Sequence, residues 1–117
     1  MLDDLDKKEA IELLSDDYIP KILAHTHLKP KSAKEIAAKN DIPIAVCYRR
    51  IKKLVDLGLL SKEERPLTQE GKRVWLYKSN LESAKIFYED GVLMAEFEMK
   101  SGVKETFGKE QLITVEP

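Results

Sequence analysis

Apolar residues recur at three- and four-residue spacing through the first half of the chain and at two-residue spacing through much of the last third. The clearest helical pattern lies at 43–57. There Ile44, Cys47, Ile51, Leu54 and Val55 form one apolar stripe. Ala45, Tyr48, Arg49 and Lys52 fall at the same spacing on another face, flanked by Arg50 and Lys53. Weaker helical patterns precede it. Leu2, Leu5, Ala10, Leu13 and Leu14 predict a first helix to about residue 14, with Asp3 and Asp4 as caps. Ile19, Ile22, Leu23 and Thr26 predict a second, with Asp17 as N-cap and Pro20 in its first turn, ending near residue 27 before a loop at 28–31. Ser32 followed by Glu35 is a capping box opening a short helix over 33–39, with Ile36 and Ala37 inward. Asn40 and Asp41 supply a tight turn, Ile42 plugs the space between helices, and Pro43 takes the first position of the next helix. Gly58 ends that helix in a left-handed cap.

Past Gly58 the period changes to two. Residues 59–63 read as a strand, 66–71 as a turn-rich loop and 72–77 as the return strand. Val74 and Leu76 point one way. Trp75 and Tyr77 point the other, where core packing against the helices is expected. Residues 79–83 form a short connector of at most one helical turn. Three further strands follow, at 84–89, 92–100 and 103–107, joined by hairpin turns at Asp90-Gly91 and Ser101-Gly102. Ile86 and Tyr88 share a side in the first. Leu93, Ala95, Phe97 and Met99 oppose Glu96 and Glu98 in the second, and Val103, Glu105 and Phe107 share a side in the third. A short helix is expected at 109–112. The pattern predicts an α+β chain with about four helices and a β-wing over 1–78, then a C-terminal antiparallel β-meander over 79–117. Such a sheet must cover its apolar face. Packing on its own helices or on a second subunit is expected rather than a ligand pocket, because no polar groups converge at one point.

Charge changes the picture. The net charge is only −1, which alone argues against nucleic acid as a partner. Residues 32–78, however, hold 11 basic against 6 acidic side chains, while 1–31 hold 5 against 7 and 79–117 hold 4 against 8. A basic middle between acidic ends marks a local phosphate-binding surface. The acidic, amphipathic start lacks the layout of a signal peptide, and no apolar run is long enough to span a bilayer, so a cytoplasmic protein is expected with no membrane partner. The single cysteine excludes an internal disulfide and a multi-cysteine zinc site, and Cys47 falls on the inward stripe as a small apolar residue. His25 and His27 stand two apart, point in different directions, and suit a helix end better than a metal. No nucleophile–base ordering, carboxylate pair or glycine-rich phosphate loop is present. No enzyme activity, cofactor or metal is expected.

The stretch IAAKNDIPIAVCYRRIKKLVDLGLL resembles the helix-turn-helix of winged-helix transcription regulators of the ArsR type and their archaeal relatives. The resemblance is carried by Ile36-Ala37, the turn at Asn40-Asp41, Ile42-Pro43, the run Tyr48-Arg49-Arg50 and the terminal Leu57-Gly58-Leu59, and it covers roughly residues 7–78. Asp41 departs from it, standing where such turns commonly have glycine. So does the meander, standing where a dimer-forming helix usually follows the wing. The resemblance implies a sequence-specific regulator that binds double-stranded DNA, with the helix at 43–57 in the major groove and the wing at 60–77 beside it. The expected DNA-binding residues are Ser32, Lys34, Ile44, Ala45, Tyr48, Arg49, Arg50, Lys52, Lys53, Arg65, Lys72 and Arg73. Arg49 is the expected contact to guanine, Ala45 to a thymine methyl and Tyr48 to phosphate or base. Arg50, Lys52 and Lys53 are expected at phosphates. One helix reads few bases, so a homodimer on a palindrome is expected. The competing reading is a winged-helix protein-interaction module that binds a protein partner through its C-terminal sheet, without specific DNA binding.

Overall fold

The computed structural model describes residue 2, residues 5–65 and residues 69–108. Among these residues four helices and two three-stranded antiparallel sheets make an α+β fold, with the helix-turn-helix first and a meander after it. The helices are α1 (Lys7–Ser15), α2 (Ile19–His25), α3 (Ala33–Asn40) and α4 (Ile44–Asp56). Helix α1 starts later than expected. Asp6 is its N-cap and accepts from the Glu9 N–H at 2.8 Å; Asp3 and Asp4, the expected caps, lie outside the described residues. At α2 the N-cap position is Tyr18 rather than Asp17, and its side chain makes no capping bond; Asp16 serves the first N–H groups instead. Its carboxylate accepts from the Tyr18 and Ile19 N–H groups at 2.9 and 3.0 Å.

Helix α3 opens with the expected capping box, Ser32 and Glu35 each accepting from the other's backbone N–H at 3.2 Å. Asp41 ends it in the left-handed region, at φ 54° and ψ 46°, its short side chain tolerating a conformation glycine usually takes. Pro43 stands just before α4, with extended ψ, rather than inside its first turn. Gly58, at φ 79°, closes α4 in a Schellman motif. Its N–H donates to Val55 O at 3.0 Å, and the Leu59 N–H donates to Leu54 O at 2.9 Å. Leu54 and Leu59 are both fully buried, which supplies the apolar contact that such a cap needs.

The wing is β2 (Leu60–Arg65) paired antiparallel with β3 (Val74–Ser79). A strand that the hydrophobic pattern did not show joins them. β1 (Lys31–Ser32) pairs with Tyr77 and Leu76 of β3, tying the start of α3 to the wing. The expected connector at 79–83 is absent as such: β3 runs to Ser79, and β4 (Leu81–Glu89) begins after Asn80 alone. β5 (Val92–Met99) and β6 (Lys104–Phe107) complete the meander in the order β4-β5-β6. The helix expected at 109–112 lies outside the described residues.

One hydrophobic core runs through both sheets and all four helices. Leu5, Ala10 and Leu13 meet Ala95, Phe97 and Phe107 of the meander, while Ile22, Ile36, Ile51 and Leu54 fill the helical part. The meander thus covers much of its apolar face with its own helices. Phe97 and Phe107 pack edge to face, centroids 5.6 Å apart. Val92 and Met94, on the opposite face of β5, are buried as well, beyond what strict alternation foretold. Gly108 returns close to Met94, and a Cβ there would stand 3.1 Å from Met94 Cγ.

Asn80 joins the parts. Its Nδ2 donates to Gly58 O at 3.0 Å and its Oδ1 accepts from the Ser61 hydroxyl at 2.9 Å. Its backbone N–H donates to Leu59 O, and its carbonyl accepts from the Lys100 N–H at 2.8 Å. Asn80→Ala strips the Gly58 carbonyl and the Ser61 hydroxyl of these partners and should lower the unfolding free energy by about 1–3 kcal/mol, measured as a shift of the urea midpoint at unchanged slope.

Candidate nucleic-acid interface

Helix α4 is held by its inner side. Cys47, Ile51 and Leu54 are fully or almost fully buried, and Val55 is half-buried. Burial pushes the Cys47 thiol above its ordinary pKa, so the group is an inert filler facing the Ala33 carbonyl. Ile44 departs from the expected stripe. It is 44 % exposed, because the first turn of α4 stands clear of the core.

The outward surface carries Ala45, Tyr48, Arg49, Lys52 and Lys53, all exposed. At 100° per residue, Ala45, Arg49, Lys52 and Asp56 centre this face, with Tyr48 on one flank and Lys53 on the other. Lys52 donates to Asp56 at 3.2 Å, a surface pair worth little on its own. Arg49 has no ion pair or hydrogen bond among the described residues.

Arg50, expected at a phosphate, is engaged within the chain. Its Nε donates to both oxygens of Asp16, at 3.1 and 3.2 Å, and its guanidinium lies 6.0 Å from the Tyr18 ring centroid. The side chain is half-buried and ties α4 to the turn between α1 and α2. Burial raises the Asp16 carboxyl, but the Arg50 hydrogen bond and the Tyr18 and Ile19 N–H groups outweigh it and hold the carboxyl below its ordinary value.

Beside α4, the start of α3 and the wing complete a concave surface. The lining of a cleft of about 330 Å³ includes Ser32, Lys34, Tyr48, Lys72, Arg73 and Trp75, with the acidic Glu70 among them. Lys34, Lys72 and Arg73 are exposed, and Arg73 pairs with Glu64 across the wing. Ser32 sits at the lip of the cleft with its Oγ accepting the capping bond. The side chain of Arg65 lies outside the described residues, as do residues 66–68 of the expected wing loop.

Trp75 and Tyr77 share one face of β3 as alternation foretold, but only Tyr77 reaches the core, at 6 % exposure. Trp75 is 44 % exposed. It is two residues nearer the wing tip, and Lys62 Nζ stands 4.3 Å from its ring centroid. The residue pattern offered no sign of this exposure, so Trp75 was absent from the expected contact set. His25 ends α2, and among the described residues no group of three or more His, Cys, Asp or Glu side chains gathers into a metal site.

Residues 15–63 match the helix-turn-helix domain family. The matched stretch runs from the end of α1 through α2, α3 and α4 into β2. No curated protein matches the chain. The helix-turn-helix match points to a DNA-binding regulator, a class that is typically not enzymatic. No helix among the described residues is long and apolar enough to cross a membrane.

The Asp16–Arg50 pair gives a pH signature. A carboxyl held below its unfolded value adds stability that is full above that value, about 3.9, and is lost as pH falls through the folded-state value. Asp16→Asn should therefore cost about 1–3 kcal/mol near neutral pH. The difference from the parent chain should shrink below about pH 4, read by urea unfolding across pH.

Proposed function

We propose that this chain is a sequence-specific, double-stranded DNA-binding transcription regulator of the ArsR-like winged-helix type, acting in the cytoplasm as a homodimer. The observation that carries the reading is the two-sided surface of α4. A locked inner stripe presents Ala45, Tyr48, Arg49, Lys52 and Lys53 outward, and Arg49 has no partner among the described residues. In this reading α4 enters the major groove. Arg49 makes a bidentate contact to a guanine edge, while Ile44 and Ala45 meet thymine methyl groups. Tyr48 bonds to a base edge or a phosphate. Lys53, on one flank of the outward face, meets a phosphate beside the groove, and Lys52, nearer the centre, reaches a phosphate with its long side chain.

Lys34 and Ser32, at the start of α3, face the neighbouring backbone, and the wing brings Arg65, Lys72 and Arg73 to the next phosphates. Trp75 joins this set, its exposed indole packing against sugar or base edges beside the wing. Arg50 leaves it, since its guanidinium already holds Asp16.

Two measurements follow on a duplex selected from a random library. Arg49→Ala should lose about 1–3 kcal/mol of binding free energy on the selected site, and far less on unrelated duplex. Equal affinity of the variant and the parent for the selected site would remove α4 as the reading element. Lys53→Ala should weaken binding to all duplexes alike and reduce the log–log salt slope by about 0.9. Because Trp75 is the single tryptophan, its fluorescence should change on duplex addition and report binding without a label.

A further inference from the structure

The meander has an open edge. In the order β4-β5-β6, β4 is the outer strand, and it runs nine residues with no strand on its far side among the described residues. It contains no proline, and its one irregularity lies at Leu81/Ser83, far from the tip. A long, regular edge of this kind is a template for another strand.

The hairpin turn shows which groups the edge presents. Asp90 and Gly91 have φ of 53° and 79°, a two-residue turn that makes Glu89 and Val92 a mutually hydrogen-bonded pair. By alternation the backbone groups of Ala84, Ile86 and Tyr88 then point to the free side. The side chains of these three residues lie on the face that α1 covers further in, together with Leu93, Ala95 and Phe97. Beyond α1 the cover ends. Ile86 is 38 % exposed, Leu93 42 % and Tyr88 73 %. Next to them a largely apolar groove of about 370 Å³ opens between the end of α1, α2 and β4, lined by Leu14, Pro20, Leu23, Leu81, Ala84 and Ile86, with Lys85 also on its wall.

We propose that β4 pairs antiparallel with β4 of a second copy about a two-fold axis through Phe87, so that Ile86 faces Tyr88 and Lys85 faces Glu89 across the junction, each pair occurring twice. The two sheets become one six-stranded sheet, and the axis makes the contact self-complementary. The match of charges selects the register. Moving the axis to Ile86 sets Lys85 against Phe87 and Ser83 against Glu89. Moving it to Tyr88 sets Glu89 against Phe87 and leaves Lys85 against Gly91. A shift of the pairing by one residue turns the apolar side chains to the wrong face. Only the Phe87 axis joins both opposite charges and both large apolar side chains. In this register Tyr88 of the second copy lands opposite Ile86, at the mouth of the groove. Lys85 already leans over Phe87 and toward Glu96 within its own chain, at 3.7 Å from the Glu96 carboxylate, which leaves most of the ammonium exposed. The inference deepens the homodimer reading under Proposed function and rests on it, naming the surface that joins the copies.

The test is sedimentation velocity on the full chain without DNA, with circular dichroism to confirm folding. The parent chain should be a dimer. K85E places like charges opposite each other twice, and so does E89K, so each variant alone should dimerise at least about tenfold more weakly. Mixed one to one, the two variants should form a heterodimer, because the exchanged charges then face each other. The K85E/E89K double variant should self-associate again. Within one chain, positions 85 and 89 lie two pleats apart and do not touch, so rescue reports pairing between copies. A parent chain that stays monomeric overturns the proposal. So do dimers that survive both single variants, or single variants that stay apart when mixed. Duplex binding by Trp75 fluorescence is measured separately. Monomeric chains that bind duplex tightly would sink the strand pairing while leaving the DNA-binding reading standing. Dimers with the expected charge dependence and no duplex affinity would do the reverse.

Discussion

The pose of α4 depends on how its C-terminal end is closed. A helix leaves its last carbonyls without internal partners, and at this junction the chain must also turn into the wing and pass on to the meander. Gly58 and Leu59 close the last turn by their own N–H groups. Asn80 takes the Gly58 carbonyl, accepts from Ser61 of β2 and meets Lys100 beyond β5. A single side chain and its peptide groups thus hold the helix end, the wing and the meander in one arrangement. If this junction loosened, α4 and the wing would no longer share a fixed geometry, and the concave surface between them would lose its shape.

With its end fixed, α4 divides its residues by chemistry. Cys47, Ile51 and Leu54 pack inward without titratable or reactive consequence. Two adjacent arginines serve different purposes. Arg50 faces Asp16 and braces the helix against the first half of the fold, and Arg49, turned by 100°, faces outward. Bracing has electrostatic content. Asp16 accepts from the Tyr18 and Ile19 N–H groups at the start of α2 and pairs with Arg50 at once, so one carboxylate joins α2 and α4. The helix that would enter the groove is positioned by an apolar stripe, a Schellman cap and an ion pair, none of which uses the groups turned outward.

Local chemistry was legible in the sequence, and long-range chemistry was not. The capping box at Ser32 and Glu35, the left-handed turn at Asp41, the stop at Gly58 and the hairpin at Asp90-Gly91 are each decided within a few residues, and each stands as the residue pattern implied. The α+β architecture followed from the change of period after Gly58. Asp17 was the expected cap of α2, but the Tyr18 and Ile19 N–H groups go to Asp16, whose carboxylate also meets Arg50, 34 residues away. β1 has two residues and exists only by pairing with β3. Alternation placed Trp75 with Tyr77 but carries no record of where the helical cover ends, so the exposure of the indole was hidden. Ile44 was hidden in the same way, at a helix start beyond the core. The region 79–83 looked like a connector because its work is done by one asparagine, and hydrophobic periodicity does not report polar junctions.

The most direct test of the account is a map of backbone amide shifts in the full chain as a selected duplex is added. The largest changes should fall on residues 44–53 of α4, on the start of α3 and on β3 around Trp75, with the β4–β5 hairpin little altered. Changes confined to residues 81–107, with α4 silent, would contradict it and would assign binding to the meander instead.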